Sequence, residues 1–119
     1  MKILIVDDYR TMRRVIQNLL NRLGYDDVAE AADGASALTT LRADKVGLVL
    51  CDWNMQPMTG LQLLHEIRKD RAIAGTPFIM VLANDRRDDI TALKEAGASG
   101  YLLKPFSTDS LQAKINAVL

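Results

Sequence analysis

Short apolar runs alternate along the whole chain with segments whose apolar residues recur every three or four positions. A run of roughly four to eight apolar residues is typical of a strand buried on both faces, whereas the longer spacing is typical of an amphipathic helix. Five strands are therefore predicted, at 3–6, around 27–31, and at 46–51, 78–83 and 101–103. A helical segment follows each strand, and the first of them ends before Gly24, a residue that favours helix C-termini.

Strands that alternate with helices imply a parallel sheet with helices on both faces. We therefore predict an α/β fold of the (βα)₅ type, in which a doubly wound five-stranded parallel sheet forms a single domain over residues 1–119. In such sheets ligands bind beyond the carboxyl ends of the strands. The residues that follow each strand are therefore the first candidates for a functional site.

Composition excludes several other classes of protein. Lys plus Arg and Asp plus Glu number 15 each, and the resulting net charge of zero indicates neither nucleic-acid binding nor membrane insertion. The only cysteine, Cys51, lies in an apolar run and is expected to be a buried small hydrophobic residue rather than a reactive thiol. No apolar run approaches the ~20 residues that span a bilayer, and no signal peptide is recognisable. We expect a cytoplasmic monomer.

Charged residues stand immediately after three of the predicted strands. The first strand leads into Asp7 and Asp8, the third into Asp52 and the fifth into Lys104. Three carboxylates at one edge of a sheet repel each other, and a divalent cation removes that conflict. Mg²⁺ commonly binds one or two carboxylates together with a phosphate, and a lysine adds a positive charge for a further anion. The pattern indicates a metal-assisted phosphoryl site with an aspartate as nucleophile.

Other designs for phosphate binding or catalysis do not fit these residues. The first strand–helix turn contains neither GxGxxG nor GxxxxGK[ST], and its two carboxylates would repel a dinucleotide. The only histidine, His65, lies in the third helical segment, away from the strand ends. Neither histidine catalysis nor a zinc site is therefore predicted.

At these residues the chain resembles a known family. The segments VDDYRTMRRVIQNLL, CDWNM and GASGYLLKPF resemble the receiver domain of two-component response regulators, and most of all the single-domain chemotaxis response regulators. The resemblance covers essentially the whole chain, and the acidic pair, the aspartate after the third strand and the Lys-Pro after the fifth form a specific signature. It implies a flavodoxin-like sheet with strand order 2-1-3-4-5.

The resemblance implies a role for each residue at the strand ends. Asp52 would accept a phosphoryl group from a histidine kinase. Asp7, Asp8, Asp52 and the backbone carbonyl of Asn54 would hold Mg²⁺. Lys104 would pair with a phosphoryl oxygen.

The resemblance also implies how the signal would leave the domain. Tyr101 would be the aromatic switch residue, and the peptide bond between Lys104 and Pro105 would be cis. The output surface would lie on the fourth helix, fifth strand and fifth helix. A flagellar motor switch component or a chemotaxis kinase would be the leading partner.

Leu82 departs from the family pattern, which has Ser or Thr at the end of the fourth strand to bond a phosphoryl oxygen. Leucine cannot donate a hydrogen bond, and a hydrogen bond to a charged group contributes roughly 1.5–3 kcal/mol. Phosphorylation is expected to survive this change while its coupling to the output is weakened, altered or lost. The alternative is a degenerate receiver that acts as a phosphorylation-independent adaptor or as a sensor of an anionic ligand, such as a nucleotide messenger.

Smaller departures lie after the third strand. Thr59 stands where the family usually has an aspartate before Gly60, and it is expected to cap the third helix. Pro57 is displaced by one residue from the Met-Pro pair that is usual in the family. An aspartate-nucleophile phosphatase would need a second carboxylate two residues after Asp52, where this chain has Asn54. We therefore expect no enzymatic turnover beyond self-phosphorylation and self-dephosphorylation.

Two arginine pairs admit more than one interpretation. Arg13–Arg14 is predicted to lie on a solvated face of the first helix. Arg86–Arg87 is flanked by Asp85, Asp88 and Asp89, which favours a salt-bridged helix start. The functional alternative for Arg86–Arg87 is contact with a partner or an anion.

Overall fold

The computed structural model describes residues 1–119 and arranges five parallel strands in the order β2-β1-β3-β4-β5. The strands are β1 (Ile3–Val6), β2 (Val28–Ala31), β3 (Leu48–Asp52), β4 (Phe78–Leu82) and β5 (Gly100–Leu103). The helices are α1 (Arg10–Arg22), α2 (Gly34–Ala43), α3 (Gly60–Lys69), α4 (Arg87–Ala96) and α5 (Thr108–Val118). The predicted (βα)₅ sheet and its strand order are confirmed.

Burial explains why the three central strands gave the clearest sequence signal. Every residue of β1, β3 and β4 is buried, because helices cover both faces of the sheet. The edge strands β2 and β5 are only partly buried, and their sequences are correspondingly less apolar. Side chains alternate between the two faces, so that Leu4 belongs to the core cluster that includes residues of α2, α3 and α4, while Ile5 belongs to the cluster that includes residues of α1 and α5.

Strand boundaries differ from the predicted ones by one or two residues. Asp52 is itself the last residue of β3 and pairs with Val81, whereas 46–47 precede the strand. Ala83 lies beyond the end of β4, and β5 begins at Gly100. A carboxylate is therefore part of the buried sheet.

Helix starts on the site side differ in how they are capped. Thr59 forms a capping box with Gln62 at the start of α3, as its position predicted, and Ser107 caps α5 in the same way. The N-cap residues of α1 and α4, Tyr9 and Arg86, provide no side-chain acceptor. Two helices beside the strand ends thus begin without a side-chain cap.

None of the helices is long and apolar enough to cross a membrane.

Candidate functional site

Asp7, Asp8 and Asp52 meet at the carboxyl edge of the sheet. Because β1 and β3 are neighbours in parallel register, with Val6 opposite Cys51, the residues that follow this pair arrive side by side. One carboxylate oxygen from each of the three aspartates lies within 4.8 Å of the others. Asp7 and Asp52 are 1% and 4% exposed, whereas Asp8 is exposed. The clustering predicted from the sequence is present.

Lys104 reaches this cluster from the end of β5. Its Nζ lies 3.1 Å from Oδ1 of Asp52, and its backbone N–H donates to the carbonyl of Leu82 at 2.8 Å. The Lys104–Pro105 peptide bond is cis, as predicted, and a second cis bond joins Gln56 to Pro57. A buried carboxylate thus has a lysine on one side and two further carboxylates on the other.

Hydrogen bonds hold the loop after β1 in place. Oδ1 of Asp7 accepts from the backbone N–H of Tyr9 at 2.9 Å, and Arg13 donates from Nη1 to the backbone carbonyl of Asp7 at 2.8 Å. Arg13 also pairs with Glu30, with 3.1 Å between Nε and Oε1. The expectation that Arg13 lies on a solvated helix face was wrong, since its side chain is 15% exposed and braces this loop.

The surroundings disfavour an ionised Asp7. Burial is the largest effect and raises the pKa of Asp7, the N–H of Tyr9 opposes this, and the neighbouring Asp52 raises it further. Burial also raises the pKa of the Cys51 thiol, with Asp52 contributing, so Cys51 is the inert core residue that was predicted. Lys104 is the only cationic side chain that forms an ion pair with one of the three carboxylates.

The donor set fits a hard divalent cation. Mg²⁺ binds oxygen at about 2.1 Å, so two oxygens on one ion lie about 3 to 4.2 Å apart. Oxygens within 4.8 Å of one another need only small side-chain movements to reach such distances. Asp7, Asp8 and Asp52 could therefore hold such an ion together.

Two clefts are lined by residues that follow the strands at this edge of the sheet. The larger, of about 750 Å³, runs from Asp8 and Tyr9 to the loop that contains Pro57. The smaller, of about 190 Å³, lies between Trp53 and the residues that follow β4. Asn54, whose backbone carbonyl was expected to assist a metal, borders both clefts.

Leu82 and Tyr101 belong to the same apolar region. Leu82 is 3% exposed and packs in the 18-residue core cluster that also contains Leu93 and Ala96 of α4. Tyr101 is half-buried against that cluster, and Nζ of Lys114 lies 5.4 Å from the centre of its ring. The residue at the end of β4 therefore offers the site no hydrogen-bond donor from its side chain.

Arg86 and Arg87 are exposed at the start of α4. The prediction of a salt-bridged helix start was wrong, because neither residue takes part in any of the six ion pairs of the structure. Arg86 lines the smaller cleft together with Leu82 and Asn84, whereas Arg87 does not. The sequence alone gave no means of separating the two arginines.

Comparisons with known proteins agree with this geometry. Residues 3–116 match the model of the response regulator receiver domain. The chain is 46% identical over 118 residues to the chemotaxis protein CheY of Pseudomonas aeruginosa, covering 99% of this chain and 95% of that protein. It is 42% identical to chemotaxis protein CheY-3 of Vibrio cholerae, covering 99% of this chain and 91% of the relative.

Solved structures share the fold of this chain over nearly its whole length. The chemotaxis response regulator CheY4 of Vibrio cholerae superimposes with a TM-score of 0.91 at 31% identity, covering 99% of this chain and 98% of that one. A response regulator receiver protein from Pseudomonas putida gives a TM-score of 0.87 at 28% identity, covering 97% and 94%. The chain belongs to the response regulator receiver domain family and is a receiver of the CheY-like chemotaxis type.

Proposed function

We propose that this receiver accepts a phosphoryl group on Asp52 while Asp7, Asp8, Asp52 and the backbone carbonyl of Asn54 hold Mg²⁺. The observation that carries the proposal is the meeting of three carboxylates and one lysine at the carboxyl edge of the sheet. A buried aspartate so arranged has both a cation site and a positive partner for the charge that phosphorylation adds. The family membership supports the same assignment.

The chemistry is a transfer of a phosphoryl group between two side chains. An oxygen of Asp52 forms a bond to phosphorus as the phosphorus–nitrogen bond of a phosphohistidine on the kinase breaks. The leaving imidazole keeps the bonding electron pair and takes a proton, and Asp52 becomes an acyl phosphate. Bound Mg²⁺ supplies electrostatic stabilisation of the phosphoryl oxygens.

Lys104 has two roles in the proposed phosphoryl transfer. Its ammonium lies 3.1 Å from the Asp52 carboxylate, so it offsets the charge of the nucleophile before transfer. After transfer it can donate to a phosphoryl oxygen, because Lys has three donors on a flexible stem. A charged pair of this kind contributes roughly 1.5–3 kcal/mol per hydrogen bond.

The phosphorylated state would signal by binding a partner. The similarity to chemotaxis proteins supports a histidine kinase as donor and a target such as a flagellar motor switch, contacted through α4, β5 and α5. Neither the family match nor the relatives support a phosphorylation-independent adaptor or a nucleotide sensor. The lack of a second carboxylate two residues after Asp52 argues against a phosphatase.

Trp53 makes the proposal testable, because it is half-buried and adjoins Asp52. We expect Mg²⁺ to change its fluorescence, and a small phosphodonor such as acetyl phosphate then to add the mass of one phosphoryl group. The matched variant Asp52→Asn keeps the shape of the side chain but should gain no mass. Mass gain in that variant, or no response of the wild type to Mg²⁺, contradicts the assignment.

A further inference from the structure

The phosphoryl group proposed on Asp52 would meet an apolar wall on one side. Lys104 and the metal-binding carboxylates lie around Asp52, but the end of β4 contributes the buried side chain of Leu82, which has no donor. Phosphoryl oxygens are strong acceptors that gain most from charged donors. One side of the group would therefore lack a side-chain partner unless another residue supplies it.

The smaller cleft opens on this side. It occupies about 190 Å³, room for roughly six water molecules at about 30 Å³ each, and its walls include Trp53, Leu82 and Arg86. Asn54 and Ala83 also line it, and these residues follow Asp52 and Leu82 closely in the chain. The cleft thus lies between Arg86 at the start of α4 and the two residues that follow Asp52.

The guanidinium of Arg86 has no partner of its own. It makes no ion pair, and the hydrogen bond of Arg86 to Asn84, at 3.1 Å, comes from its backbone N–H. Asp89, which lines the same cleft, does not approach it within ion-pair distance. A positive charge at the start of a helix also opposes the helix dipole. The backbone of Arg86 takes part in the start of α4, but its guanidinium makes no polar contact that would explain its position.

We propose that Arg86 is a phosphoryl-binding residue, whose guanidinium donates through the smaller cleft to the phosphoryl oxygen that Leu82 leaves without a partner. The inference rests on the proposed phosphorylation of Asp52 and deepens it. A guanidinium suits this position because its planar fork can donate two parallel hydrogen bonds to one phosphoryl group. A long side chain that starts from α4 thereby takes the place of a short hydroxyl at the end of β4.

The test compares two neighbouring arginines. Beryllofluoride, which binds a carboxylate oxygen and takes the shape of a phosphoryl group, is titrated at saturating Mg²⁺ and followed by the midpoint of the Trp53 fluorescence change. Arg86→Ala should weaken beryllofluoride binding roughly tenfold, and Arg86→Lys should recover part of the loss. Arg87→Ala removes the same charge one residue away, outside the cleft, and should stay within about twofold of the wild type.

A double-mutant cycle separates a direct contact from a general effect of charge. Leu82→Thr restores a hydroxyl at the end of β4, so the further change Arg86→Ala should then weaken binding by only about threefold. An unchanged tenfold loss in the Leu82→Thr background overturns the claim that Arg86 replaces the hydroxyl. The affinity for Mg²⁺ alone should stay within about twofold in Arg86→Ala, because the residue is expected to contact the anion and not the metal.

The outcomes distinguish this inference from the proposed function. If the wild type binds beryllofluoride and both arginine-to-alanine variants bind it as tightly as the wild type does, the role of Arg86 is refuted while phosphorylation of Asp52 stands. Equal weakening by Arg86→Ala and Arg87→Ala also refutes a specific contact. If the wild type binds no beryllofluoride in the presence of Mg²⁺, the proposed function itself fails, and the inference fails with it.

Discussion

Neutralising Asp7 should stabilise the metal-free protein. Asp7→Asn removes one of three clustered carboxylates but keeps an oxygen that can accept the hydrogen bond from Tyr9. At a separation of 4.8 Å and an effective dielectric constant of about 20, two buried carboxylates such as Asp7 and Asp52 repel by about 3.5 kcal/mol. Attraction to Lys104 and solvent around the exposed Asp8 offset most of this repulsion. We therefore expect a net gain of about 1–2 kcal/mol in the free energy of unfolding.

The stability gained by Asp7→Asn should increase from acid to neutral pH. Because the pKa of Asp7 is raised in the folded protein, the folded state holds this proton more tightly than the unfolded chain does. The stabilisation from protonated Asp7 is complete below the ordinary value of 3.8 and is lost as pH rises through the raised pKa. The difference between Asp7→Asn and the wild type should therefore be smallest in acid and full near neutral pH.

Thermal melting in EDTA at neutral pH measures the effect. The melting temperature of Asp7→Asn should rise by roughly 3 to 10 °C, since 1 kcal/mol corresponds to roughly 3 to 5 °C for a domain of this size. Asp26→Asn removes an equal charge from an exposed residue without an ion pair and should change stability by less than about 0.5 kcal/mol.

Adding Mg²⁺ should reduce the difference in melting temperature between Asp7→Asn and the wild type. Free Mg²⁺ at ten times its Kd stabilises the wild type by about 1.4 kcal/mol, and the variant, with one carboxylate fewer, gains less at the same concentration. Equal melting temperatures for wild type and Asp7→Asn in EDTA would refute the argument that the carboxylates destabilise the metal-free site. An equal response of both to Mg²⁺ would show that Asp7 does not assist the metal.

Two further predictions concern the loop after β3. Gly60→Ala should destabilise the fold by about 1–3 kcal/mol, because a Cβ there would overlap the backbone carbonyl of Asp52 and lie 2.8 Å from Sδ of Met80. Urea unfolding measures this loss, and Gly75→Ala is the control, since a Cβ at Gly75 would have no atom within 4 Å. Thr59→Ala should lower the free energy of unfolding by about 1 kcal/mol because it removes the capping box, whereas Thr59→Ser should retain the capping box. Equal unfolding midpoints for these two variants would contradict the capping role.

Much of the fold could be predicted because the sheet is buried on both faces. The strands β1 and β4 are apolar at every position and stood out in the sequence, whereas the edge strand β2 contains the exposed Glu30 and gave a weaker pattern. The position of the acidic cluster also followed, because parallel strands deliver the residues after them to one edge. Asp7 and Asp52 could therefore be placed together although they lie far apart in the chain.

Side-chain partners could not be predicted in the same way. Arg13 and Arg86 each stand next to another arginine, and local pattern gives both members of a pair the same environment. Only the tertiary structure places Arg13 on the carbonyl of Asp7 and Arg86 at the smaller cleft. The nearby aspartates suggested ion pairs for Arg86, but exposed pairs of this kind gain little, since side-chain entropy and solvent offset their attraction.

Leu82 and Arg86 together suggest a different route from phosphorylation to output. A hydroxyl at the end of β4 would draw the strand end towards a phosphoryl group, but Leu82 is fixed in the core cluster with Leu93 and Ala96 of α4. Arg86 is the N-cap residue of that helix. If its guanidinium binds the phosphoryl group, the pull acts on the start of α4 directly, and the packing of Leu82 transmits any shift of the helix to the apolar region around Tyr101. Such a receiver can bias its output face without the hydroxyl, because differential contacts with the phosphoryl group, whichever residue makes them, are what shift a two-state equilibrium.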